Sequence, residues 1–430
     1  MLRFRSQFER AVGVRLLGVE ARGKIVRPLP ARLARYVGPP YAAVNSFRHR
    51  ARKDARLGHV DRPTVAILVD HDKFIDFLGP VLRRFGEGEI VVLSTDPQRR
   101  LLHAMNTTYV PIDLAVPTAW PPRRHLGSVL SAAPHLGAEY LRFLHLIEDL
   151  APDCLAVIEG NAPMDEVAVR AARALGIPSL CIQHGWAPVV TTGLRRLHYD
   201  AMAVWGDGFA EMLAPHNPGQ RFVTTGTPAL SAGSPHDGLR AQIAGRPCVG
   251  FFLQTTTPLI TPAAASGLVE VAEQLALHEP EIAVIVREHP GHPASSAELR
   301  RLSHPNVLLA PAGRHRLGEV LDCCDVVVSI MSSTLLEAAA LGKPVVIFNQ
   351  TSLPHYAPDL QRYGAGIETA DPTFAQDAIV TLLRDPAARA RLEPGMRHVR
   401  EHFFADVKAT APDRIVDVIR DLGQQKTTAP

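Results

Sequence analysis

No apolar run in this sequence approaches the ~18 residues that a membrane-spanning helix requires, so a chain that crosses a bilayer is not expected. Cysteine is scarce: Cys154, Cys181, Cys248, Cys323 and Cys324 are the only five, and no two have CxxC spacing. That argues against a disulfide framework or structural zinc as the basis of the fold. Four of the five lie in or beside apolar runs and read as reduced core residues, which fits a cytoplasmic protein. Aromatic residues make up 6% of the chain and form no platform among basic residues, so nucleic-acid binding is not expected. No GxGxxG follows a strand-like run, which argues against a dinucleotide oxidoreductase. Charge interrupts every possible apolar core near the start, so a secretory leader is not expected there.

What is present is a chain of 430 residues, 46% hydrophobic and 21% charged. That length and apolar content suit two folded domains with extensions and exclude a disordered regulator. The net charge of +3 hides an asymmetry: residues 1–60 hold 14 Lys or Arg against Glu9, Glu20 and Asp54, leaving the rest of the chain net acidic. Within the basic segment Phe4, Phe8, Val12, Leu16 and Val19 fall on one stripe of a helix that Pro28 and Pro30 stop. Two readings stand side by side. The helix lies on an anionic membrane face, or it packs against the body beneath a solvated basic tail.

From residue 61 short β-branched runs alternate with helical patterns. Strands are expected at Thr64–Asp70, Glu89–Thr95, Tyr109–Asp113, Leu155–Ile158, Ser179–Gln183, Ala201–Gly206 and Arg221–Gly226. A second series is expected at Cys248–Gln254, Ile282–Arg287, Val307–Ala310, Val326–Ile330, Val345–Asn349 and Gly366–Thr369. Helices are expected over 124–150, 163–176, 263–279, 333–341, 373–402 and about 411–423. Such alternation means parallel sheets covered on both faces, in an α/β protein with two doubly wound domains facing across a cleft. The expected division is a basic extension at 1–60, a first domain at 61–228, a Pro- and Gly-rich linker at 229–247, a second domain at 248–402 and a C-terminal helix and tail at 403–430.

In open α/β sheets ligands sit beyond the C-terminal ends of the strands, so the residues there carry the functional argument. After Val326–Ile330 come Ser332, Ser333 and Thr334, which open a short helix carrying Glu337 and ending at Gly342. Free N–H groups and hydroxyls at a helix start suit a phosphate, and Glu337 is placed to meet a ribose diol. Plain N-capping by Ser332 or Ser333, with Glu337 exposed, is the competing reading. After Ile282–Val286 come Arg287, Glu288, His289 and Pro290, in which Arg287 and His289 could neutralise a departing phosphate. His292-Pro293 and His304-Pro305 follow no strand and read as loop. In the first half, Glu159-Gly160 and Gln183-His184-Gly185 end successive strands, so Glu159 and His184 could meet and deprotonate an alcohol. Asp165 and Glu166 open the next helix and read as caps. Gln254–Thr257, with Gln254 and Thr255 foremost, and Arg314–Leu317 are expected near a nucleotide base. Asp70-His71-Asp72 resembles an acid-x-acid metal motif but reads as an acceptor-side loop.

On Glu159-Gly160, Gln183-His184-Gly185, Thr225-Gly226-Thr227-Pro228, Arg287-Glu288-His289-Pro290, Ser332-Ser333 and Glu337…Gly342-Lys343-Pro344, residues 61–400 resemble a GT-B glycosyltransferase of the bacterial surface-polysaccharide group. That group includes polysialyltransferases, Kdo-type transferases and teichoic-acid glycerophosphotransferases. The resemblance implies two Rossmann-like domains, with the acceptor in the first and the nucleotide sugar in the second. It implies that no metal or cofactor is needed and that the donor is a CMP-sugar in preference to a UDP-sugar. The sugar would be sialic acid or Kdo-like, and the acceptor a glycan or lipid-linked glycan at the inner face of the cell membrane. Carried over, the base is Glu159, and His289, Ser332 and Ser333 hold the donor phosphate. Here a single acid precedes Gly160, so the base remains open between Glu159 and His184. A UDP-sugar 2-epimerase of the same plan is the alternative, although such enzymes usually have Gly-Gly after the serine and paired glutamates in the helix. A non-catalytic nucleotide-sugar-binding subunit of a capsule complex is a further one.

Overall fold

The computed structural model describes residues 62–428, apart from 70–71, 95–101, 103–106, 112–125, 161–162, 187–193, 195–196, 229–236, 257–259, 290–293, 312–313, 316, 352–358 and 406–409. The expected membrane-surface helix in residues 1–60 therefore lies outside the described residues, as do Asp70, His71 and Thr257.

Among the described residues thirteen strands fall into two sheets. The first contains β1 (Val65–Val69), β2 (Ile90–Ser94), β3 (Tyr109–Pro111), β4 (Cys154–Ile158), β5 (Ser179–Ile182), β6 (Ala201–Val204) and β7 (Phe222–Thr224), in the order β3-β2-β1-β4-β5-β6-β7. The second contains β8 (Cys248–Phe252), β9 (Ala283–Arg287), β10 (Val307–Ala310), β11 (Val326–Ser329), β12 (Val345–Phe348) and β13 (Gly366–Thr369), in the order β10-β9-β8-β11-β12-β13. Every pairing is parallel. The expected strands are all present, each within two residues of its predicted ends. Parallel strands need apolar side chains on both faces, and β1, β2, β4, β8 and β9 are buried along their whole length. Strand order reverses between β1 and β4 in one sheet and between β8 and β11 in the other. These are the switch points at which a crevice opens.

The helices are α1 (Asp72–Leu82), α2 (Leu126–Leu150), α3 (Pro163–Ala174), α4 (Asp207–Leu213), α5 (Asp237–Ile243), α6 (Pro262–His278), α7 (Ser296–Arg301), α8 (Leu317–Cys323), α9 (Ser333–Ala340), α10 (Pro372–Arg384), α11 (Pro386–Phe403) and α12 (Ala411–Thr428). Five of them, α1, α4, α5, α7 and α8, have no counterpart among the expected helices, and three points change the expected organisation. The single helix expected over 373–402 is two, because Pro386 forces Asp385 into an extended conformation and Asp385 then caps α11 through Ala387 N–H. The expected linker 229–247 contains α5, whose Leu239 and Ile243 are buried in a hydrophobic core. The C-terminal helix α12 belongs to the first domain: Ile415, Val416, Val418, Ile419 and Leu422 pack with Val65, Ile67, Ile75 and Leu78.

The chain thus crosses between the sheets twice, and the return crossing is packed tightly. A Cβ on Gly206 would sit 2.2 Å from the Phe403 carbonyl carbon, so glycine is required where α4 meets the end of α11. Ala405 N–H donates to the Trp205 carbonyl at 2.7 Å, Trp205 stacks on Phe404, and Phe209 meets Phe403 edge-on. Among the described residues no helix is long and apolar enough to cross a membrane.

Candidate functional site

Strand β4 ends in two consecutive left-handed residues, Glu159 (φ 60°) and Gly160 (φ 66°). At Gly160 only glycine fits, since an added Cβ would lie 2.5 Å from the Tyr199 hydroxyl and 2.7 Å from Cys181 Sγ. A glutamate in this conformation costs on the order of 1–3 kcal/mol, a strain that the surroundings hold in place. Glu159 N–H donates to the Ile182 carbonyl at 3.0 Å, and the Tyr199 hydroxyl donates to the Gly160 carbonyl.

The next strand end is locked by Gln183, which the sequence presented as part of a site motif. Its Oε1 accepts Trp205 N–H and its carbonyl accepts the Trp205 indole N–H, both at 2.9 Å. With Gln183 fixed to β6, His184 emerges against Glu159. The imidazole Nδ1 lies 3.1 Å from Glu159 Oε1, and the ring is bracketed by the edges of Phe74 and Phe77, each at a centroid separation of 4.8 Å. A carboxylate accepts only, so Nδ1 carries the hydrogen and the neutral ring presents Nε2 as its basic nitrogen. The two side chains keep 30% and 22% exposure, enough to be reached by an acceptor.

The second sheet supplies the facing edge. Ser329 ends β11 and its hydroxyl donates to the Phe252 carbonyl, while Gln254 Oε1 accepts Met331 N–H at 2.6 Å. Gln254, expected beside a nucleotide base, uses its oxygen to tie the loops after β8 and β11 together. Ser332 is the N-cap of α9, with its hydroxyl accepting Thr334 N–H at 3.2 Å, and Ser333 is the first helical residue. At the other end of α9, Arg400 Nε donates to the Ala340 carbonyl at 2.6 Å. His289 Nδ1 lies 3.1 Å from Thr255 Oγ1, which joins the loops after β9 and β8.

Arg287 and Glu337 are deeper than the sequence suggested. Arg287 is 8% exposed and donates through one guanidinium nitrogen to the His315 carbonyl at 2.7 Å, so its side chain lies mostly below the surface. Glu337 is 3% exposed, not the surface residue of the capping-only reading. Burial pushes its carboxyl up to about 8, against the opposing pull of the Arg287 charge. A signal for this depth existed in the sequence. Glu337 is the lone charge in Ser-Thr-Leu-Leu-Glu-Ala-Ala-Ala, a helix with no other polar face to turn outward.

The two edges meet at Gly185. A Cβ there would lie 3.8 Å from Glu159 Oε1 and 3.9 Å from Ser333 Oγ, so the acid–imidazole pair of one domain faces the helix start of the other.

The two-domain fold has counterparts among solved structures. The S. aureus MnaA–UDP structure superposes with a TM-score of 0.62 at 13% identity, covering 86% of this chain and 99% of that one. The Neisseria meningitidis UDP-GlcNAc 2-epimerase bound to UDP-GlcNAc gives 0.58 at 15% identity over 83% and 99%. The calicheamicin glycosyltransferase gives 0.56 at 17% identity over 86% and 100%.

The fold is GT-B.

Among curated sequences, residues of this chain are 31% identical over 186 positions to a UDP-N-acetylglucosamine–N-acetylmuramyl-(pentapeptide) pyrophosphoryl-undecaprenol N-acetylglucosamine transferase of Bacillus thuringiensis (strain Al Hakam). The same values hold for a Bacillus anthracis enzyme of that description. The match takes in 42% of this chain and spans about half the length of those relatives (49%). No family model matches.

Within the GT-B frame the sequence reading found the residues at the strand ends but not those beneath them. Glu159 and His184 do meet, and Ser332, Ser333 and Thr334 do open a helix at a switch point. Tyr199 and Cys181 under the Glu159-Gly160 turn, and Phe74 and Phe77 around His184, had no motif to announce them. Among the described residues no group of three or more His, Cys, Asp or Glu side chains is arranged to hold a metal ion.

Proposed function

We propose that the protein is a glycosyltransferase that moves a sugar from a nucleotide donor to an acceptor hydroxyl in a single displacement. The observation that carries this reading is the Glu159–His184 pair at 3.1 Å facing the start of α9 across one glycine. Glu159 orients the ring and supports the imidazolium that forms, and His184 Nε2 takes the acceptor proton as the glycosidic bond to the donor phosphate breaks. The departing nucleotide phosphate receives the N–H groups and hydroxyls of Ser332, Ser333 and Thr334, with His289 as a further donor. Glu337, backed by Arg287, holds the ribose.

The transferase names of the curated relatives support a UDP-sugar donor and a lipid-linked acceptor. The motifs shared with surface-polysaccharide enzymes support a CMP-activated sialic acid or Kdo-like sugar and a capsular or lipopolysaccharide acceptor. In either case residues 1–60 would bring an acidic body to an anionic inner leaflet, since Lys and Arg there contribute about 1 kcal/mol each when they approach the surface.

The deciding experiment is incubation of the purified protein with UDP-, CMP- and CDP-activated sugars and with lipid-linked and capsular acceptors. A glycosylated acceptor supports transfer, and the donor consumed identifies the nucleotide. A second reading, UDP-sugar 2-epimerase, is favoured by the TM-score of 0.58 to the solved Neisseria meningitidis UDP-GlcNAc 2-epimerase. Conversion of the donor to a free epimer with no acceptor modified would decide for it.

A further inference from the structure

The Glu159 carboxylate reaches His184 only because the chain turns left-handed twice at the end of β4. For glutamate that backbone is disfavoured, so something outside the turn must hold it. Gly160 N–H donates to the Ile158 carbonyl at 2.7 Å, a contact inside the turn itself, and the Gly160 carbonyl is taken from outside by the Tyr199 hydroxyl.

Tyr199 is built to be an anchor. Its side chain is 4% exposed. Its ring stacks on His198 with centroids 5.7 Å apart and planes 10° from parallel, and His198 Nε2 lies 3.2 Å from Glu166 Oε1 on α3. Its backbone carbonyl accepts the Gln220 amide at 2.9 Å. The next residue, Asp200, accepts both the N–H and the hydroxyl of Ser179 at 2.8 and 2.9 Å, which fixes the entrance to β6 against β5. A phenol held at ring, backbone and neighbour, with its hydroxyl on the one carbonyl of the strained turn, controls where that turn points.

We propose that Tyr199 is a positioning residue for the Glu159–His184 pair: its hydroxyl, bonded to the Gly160 carbonyl, keeps the left-handed turn that aims the Glu159 carboxylate at His184 Nδ1. This deepens the transfer reading and rests on it for its effect on turnover. The positioning itself can be read without turnover. Cys181 packs against the same glycine but makes no bond to its carbonyl, so it separates loss of packing from loss of the hydrogen bond.

The test uses the full chain carrying Tyr199→Phe, Cys181→Ala or Glu159→Gln, with the His184 ring signal in NMR assigned by its disappearance in His184→Ala. Tyr199→Phe should move the titration midpoint of His184 in the same sense as Glu159→Gln. It should also lower kcat roughly tenfold with the donor KM within about twofold, as expected for a group that acts in the transition state and not in binding. Cys181→Ala should leave midpoint and kcat at wild-type values. Incorporation of difluorotyrosine at position 199, which preserves the ring shape and makes the hydroxyl a stronger donor, should move the midpoint in the opposite sense to Tyr199→Phe. It also serves if the phenylalanine variant fails to fold. A wild-type midpoint in both tyrosine variants overturns the proposal, and so does an equal shift in Cys181→Ala. Absence of transfer by the wild-type protein with every donor would remove the transfer reading, while the midpoint measurements still decide the role of Tyr199.

Discussion

The two edges of the cleft solve different problems with different materials. In the proposed transfer reaction the first domain works through two side chains, Glu159 and His184, both part-exposed and one on a strained backbone. In the same proposal the second domain works through a helix start, with the ionisable residues Arg287 and Glu337 buried behind it. A base must touch the acceptor proton and adjust as it leaves, which requires exposed, polarisable side chains. A departing phosphate needs fixed dipoles that do not reorganise, which a capped helix supplies. The energetic signatures differ accordingly: backbone strain and an acid–imidazole hydrogen bond on one side, desolvation of a carboxyl on the other.

The largest expected effect comes from removing the base. His184→Ala should lower kcat roughly a thousandfold while leaving nucleotide affinity, measured by calorimetry, unchanged. Glu159→Gln should approach the same loss, because a carboxamide no longer fixes the tautomer. Retained activity in His184→Ala beside a dead Glu159→Gln would reassign the base to Glu159. Next comes the leaving-group side. His289→Ala should reduce kcat by about a hundredfold, corresponding to ~3 kcal/mol of charge stabilisation. A kcat left at the wild-type value in His289→Ala would contradict a role at the phosphate.

Glu337 gives a smaller and pH-dependent contrast. Its carboxyl lies at about 8 in the folded protein against an ordinary value of 4.5. The folded state therefore holds this proton more tightly than the unfolded one. The contribution of this group to stability should be fully present below about pH 4.5 and lost as pH rises toward about 8, by on the order of a few kcal/mol in total. Glu337→Gln should flatten that decline in denaturant titrations between pH 5 and 8, while weakening donor affinity about tenfold. An unchanged slope would mean that the carboxyl is not the titrating group. The smallest expected effect is Ser332→Ala, which removes the cap on Thr334 N–H and should lower stability by about 1 kcal/mol with a modest loss of donor affinity. No change in either would leave α9 stabilised by packing alone.

The sequence by itself determined the alternation of buried strands and helices, because a parallel strand must be apolar on both faces and a stretch such as Val-Ala-Ile-Leu-Val has no other stable environment. It also placed Glu159, His184, His289 and Ser332–Thr334 at strand ends, because polar residues abruptly following such runs fall where the sheet stops. Local pattern goes no further than that. That Asp385-Pro386 divides a helix was readable from the proline, but that α12 returns to the first domain was not, since Ile415 and Ile419 would fit either sheet equally well in one dimension. Nor does any local rule put Tyr199 under Gly160, 39 positions away, or Glu337 beside Arg287. Those relations arise when separate strands bring distant residues to one point, where burial moves the Glu337 carboxyl to about 8 and a single phenol holds a strained turn. The order of the strands set which residues could act, and the packing of the two sheets decided how they do.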